Sequence, residues 1–467
     1  MHNTNTLCGY IPYPASLHHL DGRDIFITKT NEGDKLIITG ENPGFVGEKE
    51  DGHLVADLTH ENALSLRRLF PFTAPRTGLK RGCSMGVGDR LGIATTGHLR
   101  AFSRFPNIFP VFAQQSIREL TLTGRSFDDV LDCVTFAVFR EGYESGFGAD
   151  GDHLKKPEEI AYALRSGYSM ITLDSSEHIR GDFPDDYVPA KETQTRYLGS
   201  AFDLGDGLSL EFAAADLGRA AYIYDEAIRF IMDMHEQFIK GRDVDFEISI
   251  DETMTPTTPL EHYYVASELT RLDVRFASLA PRFCGEFQKG IDYIGDIAQF
   301  DKELMTHAAI AKKFGYKLSV HSGSDKFSVF PSVGKHTDGE FHLKTAGTNW
   351  LEAVRLIAQK APALYRRLHE YALSHFSEAT KYYHVTTNLD KIPELSAVAD
   401  GDLPMLMEMN DARQLMHITY GILLTAKKED GTFLFRDDLY TLWAEYAEDY
   451  AQLLDHHIGR HMSTLLG

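Results

Sequence analysis

The stretch Val244-Asp-Phe-Glu-Ile-Ser-Ile-Asp-Glu252 indicates a short buried strand that ends in two carboxylates. A helical pattern, with apolar residues three and four apart, follows at residues 260–271. The same unit, a strand-like run and then a helical pattern, recurs on both sides of this stretch from about residue 80 onward. The predicted strands cover residues 84–88, 108–112, 146–149, 169–173, 244–250, 274–279, 317–320 and 341–344. The clearest predicted helices cover residues 127–140, 157–165, 216–240, 260–271, 299–313 and 350–370.

This alternation predicts the fold class. Alternating strands and helices imply parallel strands that are joined by right-handed crossovers. Eight such strands favour an α/β protein built on a closed (β/α)8 barrel of the TIM type over an open sheet. Residues 1–80 contain β-forming runs between Gly and Asn turns. We therefore expect a β-rich N-terminal extension at 1–80, the barrel at 81–350 and a helical C-terminal extension packed on the barrel at 351–467.

The composition limits the classes of function. The chain has 467 residues, of which 43% are hydrophobic and 25% charged, as is usual for globular proteins. Its 47 Lys and Arg against 68 Asp and Glu give a net charge of −21, which argues against nucleic acid or an anionic membrane as a partner. No apolar run reaches the roughly 18–20 residues that cross a bilayer, and the first residues lack the pattern of a secretory signal. We therefore expect a cytoplasmic protein; the sequence leaves open whether it forms a homo-oligomer.

The four cysteines, Cys8, Cys83, Cys133 and Cys284, are isolated from one another in the sequence. Because the chain has no C-x-x-C pair, neither a disulfide framework nor a zinc ribbon is expected. Free cysteines are among the residues most often buried, so we expect buried thiols.

A barrel enzyme places its active site on the loops that follow the strands. The first of these reads Gly86-Val-Gly-Asp-Arg-Leu-Gly92 and is similar to a dinucleotide-binding loop. The G-x-G-x-x-G fingerprint requires glycine at position 91, where this chain has leucine, so no NAD is expected. The loop instead presents Asp89 and Arg90, either to a ligand or to each other as an ion pair.

The fifth predicted strand ends in two adjacent carboxylates, Asp251 and Glu252. Neighbouring side chains of a strand point to opposite faces. Only one of the two should therefore face the barrel centre if the strand extends that far.

Histidines and a carboxylate near three strand ends predict a metal site. His153 follows the third strand, Glu286 lies in the sixth loop and His321 ends the seventh strand. Two histidines and a carboxylate are the ligand chemistry of a Zn²⁺, Mn²⁺, Co²⁺ or Ni²⁺ site with open positions for substrate. The competing interpretations are an Asp-Gly turn at residues 150–152 and a structural, hydrogen-bonded role for His321. Further candidate ligands are Asp152, Asp251, Gln288 and His342.

Other polar residues at strand ends are candidates for binding a substrate. The amide of Gln114, after the second strand, could bind substrate hydroxyls. The remaining candidates are Arg90 in the first loop, Arg282 and Gln288 in the sixth, and Lys344 at the end of the eighth strand.

Four segments resemble those of the bacterial tagaturonate/fructuronate epimerases of hexuronate catabolism. They are Arg81-Gly-Cys-Ser-Met-Gly-Val-Gly-Asp-Arg-Leu-Gly92, Gly148-Ala-Asp-Gly-Asp-His153, Ser249-Ile-Asp-Glu-Thr253 and Val320-His-Ser-Gly-Ser324. The resemblance spans nearly the whole chain. It implies a metal-dependent barrel isomerase that interconverts D-fructuronate and D-tagaturonate, inverting C4 of a small 2-keto sugar acid.

The resemblance also implies roles for individual residues. Asp152 would be the proton acceptor and Glu252 the proton donor, while His153 and His321 would be metal ligands. A further ligand would come from the sixth loop, where either Glu286 or Gln288 could occupy the position. The substrate carboxylate would need a cation, and the candidates are Arg90, Arg282 and Lys344, whose alternative role is an ion pair with a neighbouring loop acid.

The chemistry of C4 restricts the mechanism. The C4 hydrogen is β to the C2 ketone and is not acidic, so simple enolisation would epimerise C3 instead. Transient oxidation at C4 would need a nicotinamide, for which the first loop gives no support. A retro-aldol route needs a base for the C4 hydroxyl proton and a Lewis acid for the charge released when C3–C4 breaks. The alternatives are a class II aldolase, a sugar-phosphate isomerase or a non-catalytic sugar-binding subunit.

Overall fold

The structure is a computed structural model that describes residues 6–40, 44–80, 82–184 and 187–467. Its strands, in chain order, are β1 (His18–Leu20), β2 (Arg23–Thr30), β3 (Gly33–Thr39), β4 (Glu48–Glu50), β5 (His53–Ala56), β6 (Cys83–Val87), β7 (Ile108–Ser116), β8 (Gly148–Leu154), β9 (Met170–Asp174), β10 (Ala201–Gly205), β11 (Leu208–Glu211), β12 (Asp245–Ile250), β13 (Ser278–Pro281), β14 (Lys317–Val320) and β15 (Phe341–Thr345). Its α-helices are α1 (His60–Leu69), α2 (Thr95–Arg104), α3 (Ile117–Thr123), α4 (Phe127–Glu141), α5 (Pro157–Arg165), α6 (Lys191–Tyr197), α7 (Ala214–Met234), α8 (Pro259–Arg271), α9 (Ile297–Phe314), α10 (Phe330–His336), α11 (Thr348–Lys360), α12 (Pro362–Ala379), α13 (Asn410–Ile418), α14 (Tyr420–Thr425), α15 (Arg436–Glu445) and α16 (Ala447–Leu466).

Eight parallel strands close into a barrel in the order β12-β13-β14-β15-β6-β7-β8-β9, and the pairing of β9 with β12 completes the circle. Outward residues such as Ile248, Leu318 and Leu343 are fully buried, because helices cover the outside of a parallel barrel. The predicted α/β class and (β/α)8 barrel are confirmed. Each of the eight predicted strands corresponds to one strand of the barrel.

The segments on either side of the barrel have cores of their own. Before it, an antiparallel sheet in the order β1-β2-β3-β5-β4 packs apolar residues such as Ile25 and Leu36 against Phe139 of α4. After it, the chain is helical and buries Trp350 and Trp443 in a separate cluster. None of the helices in the described segments is long and apolar enough to span a bilayer.

Some sequence predictions need correction. The helix predicted at 350–370 is two helices, because Pro362 begins α12 and forces Ala361 out of the helical region (φ −141°, ψ 68°). The third strand extends to Leu154, so the Asp-Gly turn at 150–152 is wrong: these residues belong to β8. Buried thiols are found at Cys83 and Cys284, whereas Cys8 is exposed and Cys133 is half-buried.

The interior of the barrel is polar, although branched apolar side chains usually fill such barrels. Asp150, Thr172, Glu247 and Lys344 meet there and are joined by hydrogen bonds and ion pairs. Buried polar groups stabilise a fold only when each has its partners. The geometry at the mouth of the barrel therefore depends on this network beneath it.

Candidate active site

A cavity of about 400 Å³ opens at the end of the barrel where the strands finish. It is lined by residues at the ends of seven of the eight barrel strands or in the segments that follow them, and by residues 382–384 of the C-terminal helical region. All ten residues predicted to form the site line this cavity: Arg90, Gln114, Asp152, His153, Glu252, Arg282, Glu286, Gln288, His321 and Lys344. A larger cavity, about 1300 Å³, lies at the opposite end beside Asp245 and Lys317 and is lined by none of them. We therefore place the candidate active site in the smaller cavity.

Three side chains in this cavity could hold a metal ion. The ligand atoms of His153, Asp251 and His321 all lie within 4.8 Å of one another. Asp251 Oδ1 is 3.1 Å from Nδ1 of His321 and 3.8 Å from Nε2 of His153. Two imidazoles and one carboxylate, with the open cavity beside them, fit the coordination chemistry of a divalent transition metal.

The second ring nitrogen of each histidine faces a carboxylate. His153 Nδ1 lies 2.8 Å from Asp152 Oδ1, and His321 Nε2 lies 2.7 Å from Glu247 Oε1. Metal-binding histidines commonly donate their second N–H in this way, which orients the ring and leaves the other nitrogen for the ion. Burial alone would lower the pKa of both imidazoles, but these carboxylates and Asp251 outweigh it and raise both. The surroundings of the two rings thus favour positive charge between Asp251 and the barrel interior.

Asp251 and Glu252 both line the cavity. Because β12 ends at Ile250, neither residue belongs to the strand, and the alternation that would separate them does not apply. Glu252 lies 3.8 Å from Arg118 and 3.5 Å from Lys155. Burial would raise the pKa of Glu252, but His153 and these two cations lower it below its ordinary value. The structure thus places within the cavity a carboxylate, Glu252, that does not belong to the group of His153, Asp251 and His321.

The Lys344 ammonium lies among three buried carboxylates. Its Nζ is 2.7 Å from Asp150 and Asp152 and 2.8 Å from Glu247. Lys344 keeps a pKa well above its ordinary value despite burial, and it holds the pKa of Asp152 well below its ordinary value. At Asp150, the effect of burial is larger than the opposing effect of Lys344, so the pKa of the Asp150 carboxyl is raised to about 6. The charge of Lys344 is balanced inside the protein, which does not favour its predicted contact with a substrate carboxylate.

The structure distinguishes the two candidate ligands of the sixth loop. Glu286 is 42% exposed and lies 4.0 Å from Arg282, apart from the described metal group. The buried Gln288 accepts hydrogen bonds at Oε1 from the backbone N–H of Thr386 (2.9 Å) and from Gln414 (3.0 Å). Because a backbone N–H can only donate, Thr386 fixes the orientation of the amide. The NH₂ group of Gln288 is left as a donor for a substrate, and its oxygen is not free to bind a metal.

Two further residues predicted to bind the substrate, Arg90 and Gln114, have buried polar atoms with no hydrogen-bond partner in the described part of the chain. Arg90 donates to Glu119 through Nε (2.9 Å), whereas its Nη1 has no acceptor. Oε1 of Gln114 is also unpaired, and a Cβ on Gly86 would lie only 1.7 Å from it. Glycine at position 86 thus makes the room that Gln114 needs inside the barrel. Unpaired buried groups at a cavity wall are suited to bind a polar ligand, because leaving them unpaired costs free energy.

Several residues of the site were not predicted. Glu247 lies within β12 next to the outward-facing Ile248, so strand alternation places its side chain inside the barrel. Arg118 on α3 and Lys289 after β13 also line the cavity. No local sequence signal distinguishes these two cations, because their positions depend on how α3 and the sixth loop fold back over the mouth.

His153 also forms a group with ligand chemistry with Asp174 and Glu252. A third such group lies outside the cavity and consists of Asp325, His457 and His461. His461 Nε2 accepts the backbone N–H of Asp325 (2.9 Å), and the Asp325 carboxylate lies 2.8 Å from both Arg413 and His457. These bonds connect the loop after β14 to α13 and α16. We therefore assign this group a structural role.

A (β/α)8 barrel with a polar cavity and a histidine-carboxylate group at the ends of its strands defines a barrel enzyme that acts on a small polar substrate. A family model described as tagaturonate epimerase (UxaE) matches residues 13–465. A tagaturonate/fructuronate epimerase of Thermotoga maritima is 43% identical over 480 residues, which cover 98% of either chain. Crystal structures of the fructuronate-tagaturonate epimerase UxaE of Cohnella laeviribosi, one native and one with glycerol, match at a TM-score of 0.95 and 51% identity, over 98% of this chain and 96–97% of theirs.

The chain therefore belongs to the tagaturonate/fructuronate epimerase family. It is an epimerase, an enzyme of the isomerase class. The family resemblance of the four sequence segments is confirmed.

Proposed function

We propose that this protein interconverts D-fructuronate and D-tagaturonate by inverting C4, with the help of a divalent metal ion and by cleavage and re-closure of the C3–C4 bond. The observation that carries the proposal is one cavity that holds His153, Asp251 and His321 together with Asp152 and Glu252. The substrate pair is supported by the Thermotoga maritima relative, which is named for it.

In this proposal, His153 Nε2, His321 Nδ1 and a carboxylate oxygen of Asp251 hold the ion. When bound, the ion polarises the substrate ketone as a Lewis acid. Glu247 and Asp152 orient the two imidazole rings through hydrogen bonds of 2.7 and 2.8 Å. Asp251 replaces Glu286 as the proposed carboxylate ligand, because Asp251 is within reach of both rings.

The two acid–base roles fall to Asp152 and Glu252. Lys344 and His153 keep Asp152 ionised, so it can accept the C4 hydroxyl proton as C3–C4 breaks. The aldehyde then rotates and presents its other face before the bond re-forms. The cavity, at about 400 Å³, is within the range of small-ligand pockets and leaves space for this rotation. Both carboxylates begin ionised. The proton that Asp152 takes from the C4 hydroxyl passes through solvent to Glu252, which delivers it to the C4 oxygen as the bond re-forms on the other face, and the reverse reaction uses the same route backwards.

Removal of divalent metal is expected to stop the conversion of D-fructuronate to D-tagaturonate. The enzyme is dialysed against a chelator, its metal content is measured by mass spectrometry, and Zn²⁺, Mn²⁺, Co²⁺ or Ni²⁺ is returned singly. At least one ion should restore activity. Full activity in a metal-free sample would contradict the metal role. Accumulation of dihydroxyacetone and a three-carbon aldehyde acid in place of the epimer would identify an aldolase instead.

Turnover in D₂O is expected to leave C4 of both sugar acids free of deuterium. In a retro-aldol reaction the C4 hydrogen stays on carbon throughout, since only the hydroxyl proton and the C3–C4 electron pair move. Nuclear magnetic resonance of the equilibrated mixture measures the label at each carbon. Deuterium at C4 would contradict cleavage and re-closure and indicate direct deprotonation.

A further inference from the structure

Three cations line one part of the active-site cavity, and each comes from a different element of the fold. Arg90 follows β6, Arg118 lies on α3 and Lys289 lies in the loop after β13. Their acidic neighbours are two: Glu119, 2.9 Å from Arg90, and Glu252, 3.8 Å from Arg118. Within the described chain, Lys289 has no carboxylate in ion-pair distance, and its Nζ donates to Ser322 Oγ at 3.0 Å. Three cations close together in a chain of net charge −21 indicate an anion-binding site.

The arrangement of the buried cation, Arg90, supports the same conclusion. Arg90 is only 2% exposed, and Glu119 occupies its Nε and Nη2, each 2.9 Å from Oε1. Its remaining terminal nitrogen, Nη1, is buried without an acceptor in the described segments, and Arg90 lines the cavity. An unpaired N–H of a charged group is costly to bury, so an oxygen supplied by a ligand would stabilise this arrangement. Burial, and the nearby charges of Arg118 and Arg90, also lower the pKa of Lys289.

The other cations at the mouth are already committed to groups of the protein. Lys344 has three carboxylates within 2.8 Å. Arg282 donates to the carbonyl oxygen of Thr253. Lys326 donates its three protons to backbone carbonyls of the sixth and seventh loops. Among the described residues that line the cavity, the cations left to receive an external anion are Arg90, Arg118 and Lys289.

Two tyrosines of the C-terminal helical region hold the guanidinium groups in place. The Arg90 guanidinium lies 3.9 Å from the ring centre of Tyr420, and that of Arg118 lies 5.1 Å from the ring centre of Tyr383. The hydroxyl groups of these tyrosines are 3.2 Å apart and form a hydrogen bond. A guanidinium group over an aromatic ring is held there by cation–π attraction, and the N–H groups that have no protein acceptor can still bind oxygen atoms of a ligand.

We infer that Arg90, Arg118 and Lys289 form the subsite that binds the carboxylate of the substrate, and that this subsite selects sugar acids over neutral ketoses. The inference rests on the proposed function, and it replaces Arg282 and Lys344 as the cations expected to meet the carboxylate. Planar guanidinium groups and a flanking ammonium match the two oxygens of a carboxylate and have no comparable interaction with a hydroxymethyl group.

Binding of two unreactive probes tests the subsite without turnover. D-Gluconate and D-glucitol have the same carbon chain and differ in a carboxylate against a hydroxymethyl group. Calorimetry on the metal-loaded wild type is expected to show tighter binding of gluconate. Arg118→Met and Lys289→Met should each weaken the binding of gluconate by roughly 10- to 100-fold, which is the range of one charge-assisted hydrogen bond. The affinity for glucitol should change much less. Arg275→Met and Lys312→Met serve as matched controls, because these side chains are 84% and 75% exposed at the opposite end of the barrel.

The same variants are assayed with D-fructuronate, where kcat/KM should fall by a similar factor. Equal binding of the two probes to the wild type, or an unchanged gluconate preference in both pocket variants, would overturn the subsite. Failure of the wild type to epimerise D-fructuronate, together with an intact gluconate preference, would overturn the proposed function and leave the subsite standing.

Discussion

Replacement of His321 by asparagine is expected to reduce kcat/KM for D-fructuronate by roughly a thousandfold or more. The change removes one proposed metal ligand and also the ring that connects Asp251 to Glu247, which it contacts at 3.1 and 2.7 Å. The loss should appear both in the rate and in the metal content of the purified protein, because a site with one ligand fewer binds the ion more weakly.

His456→Asn is the matched control, since His456 is exposed on α16 and lies outside the cavity. It should leave rate and metal content as in the wild type. Retention of full activity and full metal content by His321→Asn would show that the ion, if one is used, binds elsewhere.

Replacement of Lys344 by methionine is expected to lower the free energy of unfolding by about 3–5 kcal/mol. Lys344 is the positive charge shared by Asp150, Asp152 and Glu247, and removing it leaves buried carboxylates without compensation. Urea denaturation measures the effect, and Lys312→Met, which removes an exposed ammonium, is the control. The double variant Asp150→Asn/Lys344→Met should recover part of the loss, because it removes one of the uncompensated charges.

The loss in Lys344→Met should also depend on pH. Buried carboxylates without a cation have pKa values above those of the unfolded chain, so the folded state takes up protons first as the pH falls. The variant should therefore be less destabilised at pH 5 than at pH 8. A destabilisation within about 0.5 kcal/mol of the Lys312→Met control at both pH values would show that Lys344 does not hold the barrel interior together.

The periodicity of the sequence was sufficient to predict the barrel, because each strand is a short apolar run and is followed by a helix. The same reasoning predicted residues at the mouth, since in a parallel barrel every strand presents its last side chains at one end. His153 and His321 were predicted to share a metal ion, and their ring centres lie 4.8 Å apart in the structure.

What the sequence could not show depends on contacts between distant segments. The amide of Gln288 is oriented by Thr386 and Gln414, which lie 98 and 126 residues further along the chain. Lys344 lies at the end of a strand, where substrate-binding residues of a barrel are expected. Only the inward positions of Asp150 and Glu247 show that the charge of Lys344 is balanced inside the protein. Such pairings arise from the closure of the barrel, so no local pattern reports them.

The most direct measurement is a crystal structure of the Zn²⁺-loaded protein with D-fructuronate, with the ion located by its anomalous scattering. We expect the peak at about 2.0–2.2 Å from His153 Nε2, His321 Nδ1 and an oxygen of Asp251. The substrate ketone should lie beside the peak, and its carboxylate should lie between Arg90, Arg118 and Lys289. Ring nitrogens more than about 5 Å apart with metal present, or a sugar acid bound only in the cavity at the opposite end of the barrel, would contradict metal-assisted C4 epimerisation at this site.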